Sequence, residues 1–294
     1  MRAVSVGLLV LLGVAVPTAA ARDRAISRDR TAVNLSAFGQ GVVWSHTASD
    51  GRSKLVLRGF GAPAELAAAP ATGRFDPDLG RDSRGRAVVV YTRCAGLSGR
   101  NCDIWSYDIA AGRETQVPGA SSRSCSEFAP SVWEGAVAFG RSGGRGCNGL
   151  YVKGRRGAPL RLDRRIPADT DFRQGRVAYM HAPDSRHTYI RVFTIREGSS
   201  RLLIAGLRQG GERTRVSSPV LASSYVYFLF HDLRRRRFTV ARSRGRANSS
   251  LQFADRSLPG AVDSIAVDGR TLYYANGRGV FQADDPLPRF GVHE

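Results

Sequence analysis

Carboxylates are the residues of this chain whose types and spacing could do chemistry. Asp76 and Asp78 stand two residues apart, as do Asp169 and Asp171, while Asp29, Glu127, Glu212 and Asp263 hold corresponding places elsewhere, each just ahead of an apolar run. Paired carboxylates serve as acid and base on a glycosidic bond, take a hard cation such as Ca²⁺ through oxygen, or attract a basic segment of a partner. Asp also caps the starts of strands through local hydrogen bonds. Spacing alone leaves these uses open, so Ca²⁺ is the one candidate cofactor and the metal question stays unknown. Gly140-Arg141-Ser142-Gly143-Gly144 spells Gly-x-Ser-x-Gly, but that pattern carries a nucleophile only on a strand-to-helix elbow with a His and an acid nearby. Alternating residues around it predict a glycine-rich loop between two strands and no catalytic group.

The elements that must position these residues come from a repeat. Val42-Val43-Trp44, Val88-Val89-Val90-Tyr91, Ala136-Val137-Ala138-Phe139, Val177-Ala178-Tyr179, Tyr225-Val226-Tyr227-Phe228 and Thr271-Leu272-Tyr273-Tyr274 are short β-type runs ending in an aromatic, spaced 40 to 49 residues apart. Such a period is that of a propeller blade. The fold class is therefore all-β, a six-bladed β-propeller of four-stranded antiparallel blades, with strands A to D running outward from the axis. Repeat two parses most clearly, with Asp76–Leu79 as A, 86–93 as B, 103–109 as C and 114–117 as D. The last repeat is short of a strand after Phe281, where Pro286 and Pro288 disfavour regular pairing. Residues 22–33 are the candidate ring-closing segment, with the propeller spanning 34–290.

Two positions beyond each strand-B aromatic stand His46, Arg93, Arg141, His181, Phe230 and Asn276. The five polar ones are candidates for a binding face, or for solvated strand ends. The carboxylates at the starts of strand A, Asp76, Asp78, Glu127, Asp169, Asp171 and Asp263, are candidates for the mouth of the channel on the same face. Four cysteines fall at blade loops: Cys94 and Cys102 flank one B–C loop, Cys125 precedes strand A of repeat three, and Cys147 lies in its B–C loop. An even count favours disulfides; Cys94–Cys102 with Cys125–Cys147 fits these positions, and Cys102–Cys125 is the competing pairing.

The pattern of Pro, Gly, an apolar pair and an aromatic, followed by Asp103-Ile104-Trp105-Ser106-Tyr107-Asp108 and Gly112, resembles the TolB-type propeller repeat. That repeat is similar to those of prolyl-oligopeptidase-like enzymes. The resemblance implies a binding scaffold or regulatory domain; the hydrolase domain of those enzymes has no counterpart in these residues.

Residues 4–16 are apolar and lead to Thr18-Ala19-Ala20-Ala21 before Arg22-Asp23-Arg24. This is the pattern of a secretory signal over 1–21, too short for a comfortable membrane span. The expected product is exported and monomeric, without a transmembrane anchor. The formal charge is +19, from 44 Lys and Arg against 25 Asp and Glu, with lysine only at 54 and 153. So basic a chain suits nucleic acid, but export and the even spread of arginine exclude that partner. A protein or an anionic envelope polymer remains. The functional expectation is an exported, non-catalytic scaffold binding through one propeller face. The alternatives are a carboxylate-based glycan-active enzyme at the channel mouth, and an Arg-rich tether to anionic wall material.

Overall fold

A computed structural model describes residues 23–61, 64–95, 101–144, 146–207, 213–245, 250–283 and 290–292; the expected signal, residues 1–21, and Glu212 lie outside them. Six antiparallel sheets follow one another around an axis. Blade one is Val33–Phe38, Gly41–Thr47, Ser53–Arg58 and Ala64–Glu65; blade two is Asp78–Arg81, Ala87–Cys94, Cys102–Asp108 and Arg113–Gln116. Blade three is Cys125–Trp133, Ala136–Gly143, Gly149–Lys153 and Leu160–Asp163; blade four is Asp169–Arg173, Arg176–His181, His187–Thr194 and Ser199–Leu207. Blade five is Thr214–Ala222, Tyr225–Asp232, Arg237–Ser243 and Gln252–Leu258, with Phe290–Val292 added at its outer edge. Blade six takes Val262–Asp268, Thr271–Asn276 and Gly279–Gln282 from one end of the chain and Arg24–Ser27 from the other.

Period-two alternation explains the core. The strand-B aromatics Trp44, Tyr91, Phe139, Tyr179, Phe228 and Tyr274 are at most 2% exposed. Each packs against its neighbour blade: Tyr91 meets Leu55, Leu57 and Phe75, Tyr179 meets Ala138 and Leu150, and Trp44 meets Ala266 and Ala275. Full burial of such a side chain is worth about 1.5–3 kcal/mol, so the repeated aromatic is the wedge that holds blade to blade. Three of the tyrosines also satisfy their hydroxyls on carboxylates at blade edges. Tyr91 donates to Glu114, Tyr179 to Asp163 at 2.6 Å and Tyr274 to Asp23 at 2.6 Å.

The closing strand needs room that only glycine provides. Gly279 sits at φ +146°, and a Cβ there would collide with the Ser27 carbonyl oxygen. Tight A–B hairpins turn through two left-handed residues, Glu134-Gly135 and Gln174-Gly175, the geometry that matches strand twist.

The structure corrects the loop expected at Gly140–Gly144. Strand B of blade three runs on to Gly143, because strand A begins as early as Cys125 and pairs Arg141 with Glu127 and Ser142 with Ser126. Ser142 is thus a strand residue, not an elbow nucleophile. Arg234 to Arg236 occupy a hairpin turn whose Asp232 accepts the amides of Arg234 and Arg235.

The disulfides are Cys94–Cys102 and Cys125–Cys147, closing loops of 8 and 22 residues. Loop-closure entropy assigns about 2.5 kcal/mol to the first and about 3.4 kcal/mol to the second. Replacing Cys125 and Cys147 by Ser is therefore expected to lower the denaturation midpoint more than replacing Cys94 and Cys102. Parallel urea titrations check the order; a larger loss from the shorter loop overturns it.

Candidate functional site

The strand-B ends are occupied by the protein itself. His46 Nδ1 lies 2.8 Å from Asp29 Oδ2 and 3.0 Å from Thr31 Oγ1. Both contacts use one ring nitrogen, so they do not form a relay from hydroxyl to carboxylate. Asp29 is opposed by burial, yet bonds from Thr31, Trp44 and His46 hold its carboxyl below the usual range. Arg93 pairs with Glu114 at 2.6 Å and lies over the Trp105 ring at 3.4 Å. Arg141 donates from Nε to Glu127 at 2.9 Å, His181 Nδ1 contacts the Ile166 carbonyl at 3.1 Å, and Asn276 donates to Pro259 O at 2.9 Å. These five residues encircle one face but each is anchored by an intramolecular partner.

The channel is different. Residues from all six inner strands line an axial cavity of about 240 Å³. The inner strands lie side by side around the axis, and side chains stitch them together. Leu35 N–H donates to Ser264 Oγ at 3.0 Å, Leu79 N–H to Ser36 Oγ at 3.0 Å, and Val132 N–H to Asp78 Oδ2 at 2.7 Å. The Ser131 and Thr170 hydroxyls meet at 3.0 Å, and Leu221 N–H donates to Asp171. Strand A is bulged in blades one, three, five and six, and in the first three of these Asn34, Ala129 and Ser218 adopt left-handed backbone. A bulge re-aims the following side chains.

Of the six expected mouth carboxylates, the cavity lining brings together Asp76, Asp78, Asp169, Asp171 and Asp263. Asp78, Asp169, Asp171 and Asp263 lie within strand A or at its first residue instead of ahead of it. Glu127 is outside the cavity lining: it stands in strand A of blade three, 0% exposed, bonded by Arg141 of strand B and by Ser122 N–H. Among the described residues no group of three or more His, Cys, Asp or Glu is arranged to hold a metal ion.

The lining aspartates do not have equal capacity. Asp76 accepts Thr92 N–H at 2.8 Å, Thr92 Oγ1 at 2.9 Å and Ala129 N–H at 2.6 Å. Asp78 and Asp171 are engaged by the belt. Burial raises all of them. Asp78 is pushed to about 7 by burial and then by the Asp171 charge, and Asp169 to about 8 by burial and then by Asp76 and Asp171. Burial and the neighbouring carboxylates therefore favour the protonated form of Asp169. Asp263 is raised by burial and eased by Arg74.

Sequence reasoning missed the other end of the same cavity. Strand A ends there in Phe38, Trp133 and Arg173, all lining residues, with Arg81 beside them. Arg81 and Arg173 carry their Cζ atoms 4.7 Å and 5.3 Å from the Trp133 ring centroid, and Phe38 meets that ring edge-on at 6.2 Å. The signal was available: two residues after Asp171, and two after Leu79, alternation returns an arginine to the same side.

No protein-family model matches the chain, and no curated protein matches it. Solved structures do. Tricorn protease superposes with a TM-score of 0.58 at 14% identity, over 86% of this chain and 25% of that one. The SapL1 lectin in complex with alpha methyl fucoside gives 0.56 at 11% identity, over 90% and 98%. TolB from Acinetobacter baumannii gives 0.52 at 12% identity, over 77% and 55%. The chain thus spans about a quarter of tricorn protease and about half of TolB. At these identities the likeness is one of fold, and the TolB-type resemblance read in the repeats holds at the level of the blade.

Proposed function

We propose that this chain is a non-catalytic binding propeller whose ligand, borne by a protein or an envelope polymer, enters the central channel. The observation that supports this reading is the axial cavity itself, lined by all six blades and carrying both carboxylates and a guanidinium. Pockets with a few convergent polar groups and displaced titration are the usual places for ligands. The strand-B ends, by contrast, are held by their own neighbours. Export fits the two disulfides, which persist in oxidising compartments. No described helix is long and apolar enough to cross a membrane.

The high position of Asp169 would also suit a general acid in a glycan-active enzyme, and the arginine-rich surface would suit a tether. One experiment separates the three readings. Val220 and Ser217 line the channel, so Val220→Trp and Ser217→Tyr fill it from two sites. Capture of envelope material by the immobilised protein should fall at least tenfold in both variants with melting curves unchanged. Capture that persists in both, yet disappears at moderate salt, identifies the tether. Turnover of an envelope glycan that Asp169→Asn abolishes identifies the enzyme.

A further inference from the structure

The channel has chemically opposite ends. The inner strands run in a common direction, so their starts gather Asp76, Asp169 and Asp263 while their ends gather Phe38, Trp133 and Arg173. Arg173 stacks on Trp133 and feels Asp171 and Asp78 through space, yet among the described residues it makes no ion-pair contact. Arg81, on the same ring, gives Nη2 to Glu134 at 2.7 Å, while its Nε is enclosed without an acceptor. A cation alone would leave the Arg173 guanidinium unanswered. An anion alone would face the aspartates.

The separation of the two ends sets the size of what fits. From Asp171 to Arg173 is two residues of strand, and from Asp169 four, which at ~3.3 Å per residue is about 7 Å and about 13 Å. An extended peptide covers at most ~3.3–3.6 Å per residue, so two or three residues span about 7–11 Å, and a hydrogen bond of ~2.9 Å at each charged end extends the reach to about 13–17 Å. A cavity of about 240 Å³ lies below the ~300–1,000 Å³ of sites for larger ligands.

Resting on the channel as the binding site, we propose that its occupant is a short zwitterionic peptide of two or three residues, amino group toward Asp169 and carboxylate toward Arg173, against the Trp133 ring. Both contacts are charge-assisted hydrogen bonds, the stronger kind. The ammonium also relieves the crowding of carboxylates around Asp169.

Calorimetric titration of the full chain with trialanine, N-acetyl-trialanine and trialanine amide tests this. Free trialanine should bind, and either blocked form should bind at least tenfold more weakly. In Asp169→Asn the penalty for acetylation should vanish while that for amidation remains; in Arg173→Gln the pattern should reverse. Equal binding of free and blocked peptides overturns the proposal, as does trialanine binding that survives Val220→Trp. If trialanine fails to bind while Val220→Trp still abolishes envelope capture, the peptide is wrong and the channel reading stands.

Discussion

Removal of residues 22–28 is expected to lower the melting temperature by about 8–20 °C. The deletion strips Arg24–Ser27 from Gly279–Gln282 and turns the latter into an exposed edge. It also takes away Asp23, the acceptor of the Tyr274 hydroxyl at 2.6 Å and of Arg256 at 2.8 Å, and Ile26, which packs beside Trp44 and Val280. A buried hydroxyl left without its acceptor costs about 1–3 kcal/mol. With the lost packing the total reaches about 4–5 kcal/mol, and each kcal/mol moves the midpoint of a large domain by about 2–4 °C. Asp23→Ala alone should account for a minor share. Differential scanning calorimetry decides the matter, and an unchanged transition would mean that the ring does not depend on this strand.

Arg141→Ala is expected to cost up to about 1.4 kcal/mol more at pH 8 than at pH 5, the free energy of one pH unit over which its Glu127 still holds a proton that the parent has lost. Glu127 is fully enclosed and Arg141 is its close cation. Burial pushes the Glu127 carboxyl up to about 7 even though Arg141 pulls the other way. The sign of the pH dependence follows from this. Below about 4.5 both folded and unfolded chains hold the proton and the glutamate makes no difference. Between there and about 7 the folded state keeps a proton that the unfolded state has released, so rising pH lowers stability. Without Arg141 the folded value climbs further, and the loss continues past pH 7. Arg141→Ala should thus differ little from the parent near pH 5 and by up to about 1.4 kcal/mol at pH 8, whereas Glu127→Gln should flatten the profile of the parent itself. Denaturation curves at the two pH values measure this; an Arg141→Ala penalty independent of pH would assign Arg141 a packing role on Phe139 and Tyr151 instead.

That pair illustrates what the sequence can disclose. Arg141 and Glu127 were each visible as candidates, one in a ring of strand-B ends and one in a ring of strand-A starts. Their contact was not, because it depends on how far strand A extends before its bulge. The strand-B aromatics were legible because period-two alternation is a local property and recurs six times. The inter-blade belt was hidden, since Asp78 finds its amide at Val132 and Asp171 at Leu221, partners set by register between blades and not by neighbouring residues. Arg173 and Trp133 stand in different blades and carry no mark in the repeat; only the convergence of the ends of strand A at the axis brings them together.

The joining of Arg24–Ser27 to Gly279–Gln282 also sets an order of events. The contact that completes the ring has nearly the largest sequence separation the chain allows, and contacts of that kind form slowly. Blades one to four and the four inner strands of blade five consist of consecutive residues and can condense as each is made, but Arg24–Ser27 must wait, unpaired, for Gly279–Gln282. Assembly therefore ends, and unfolding begins, at blade six.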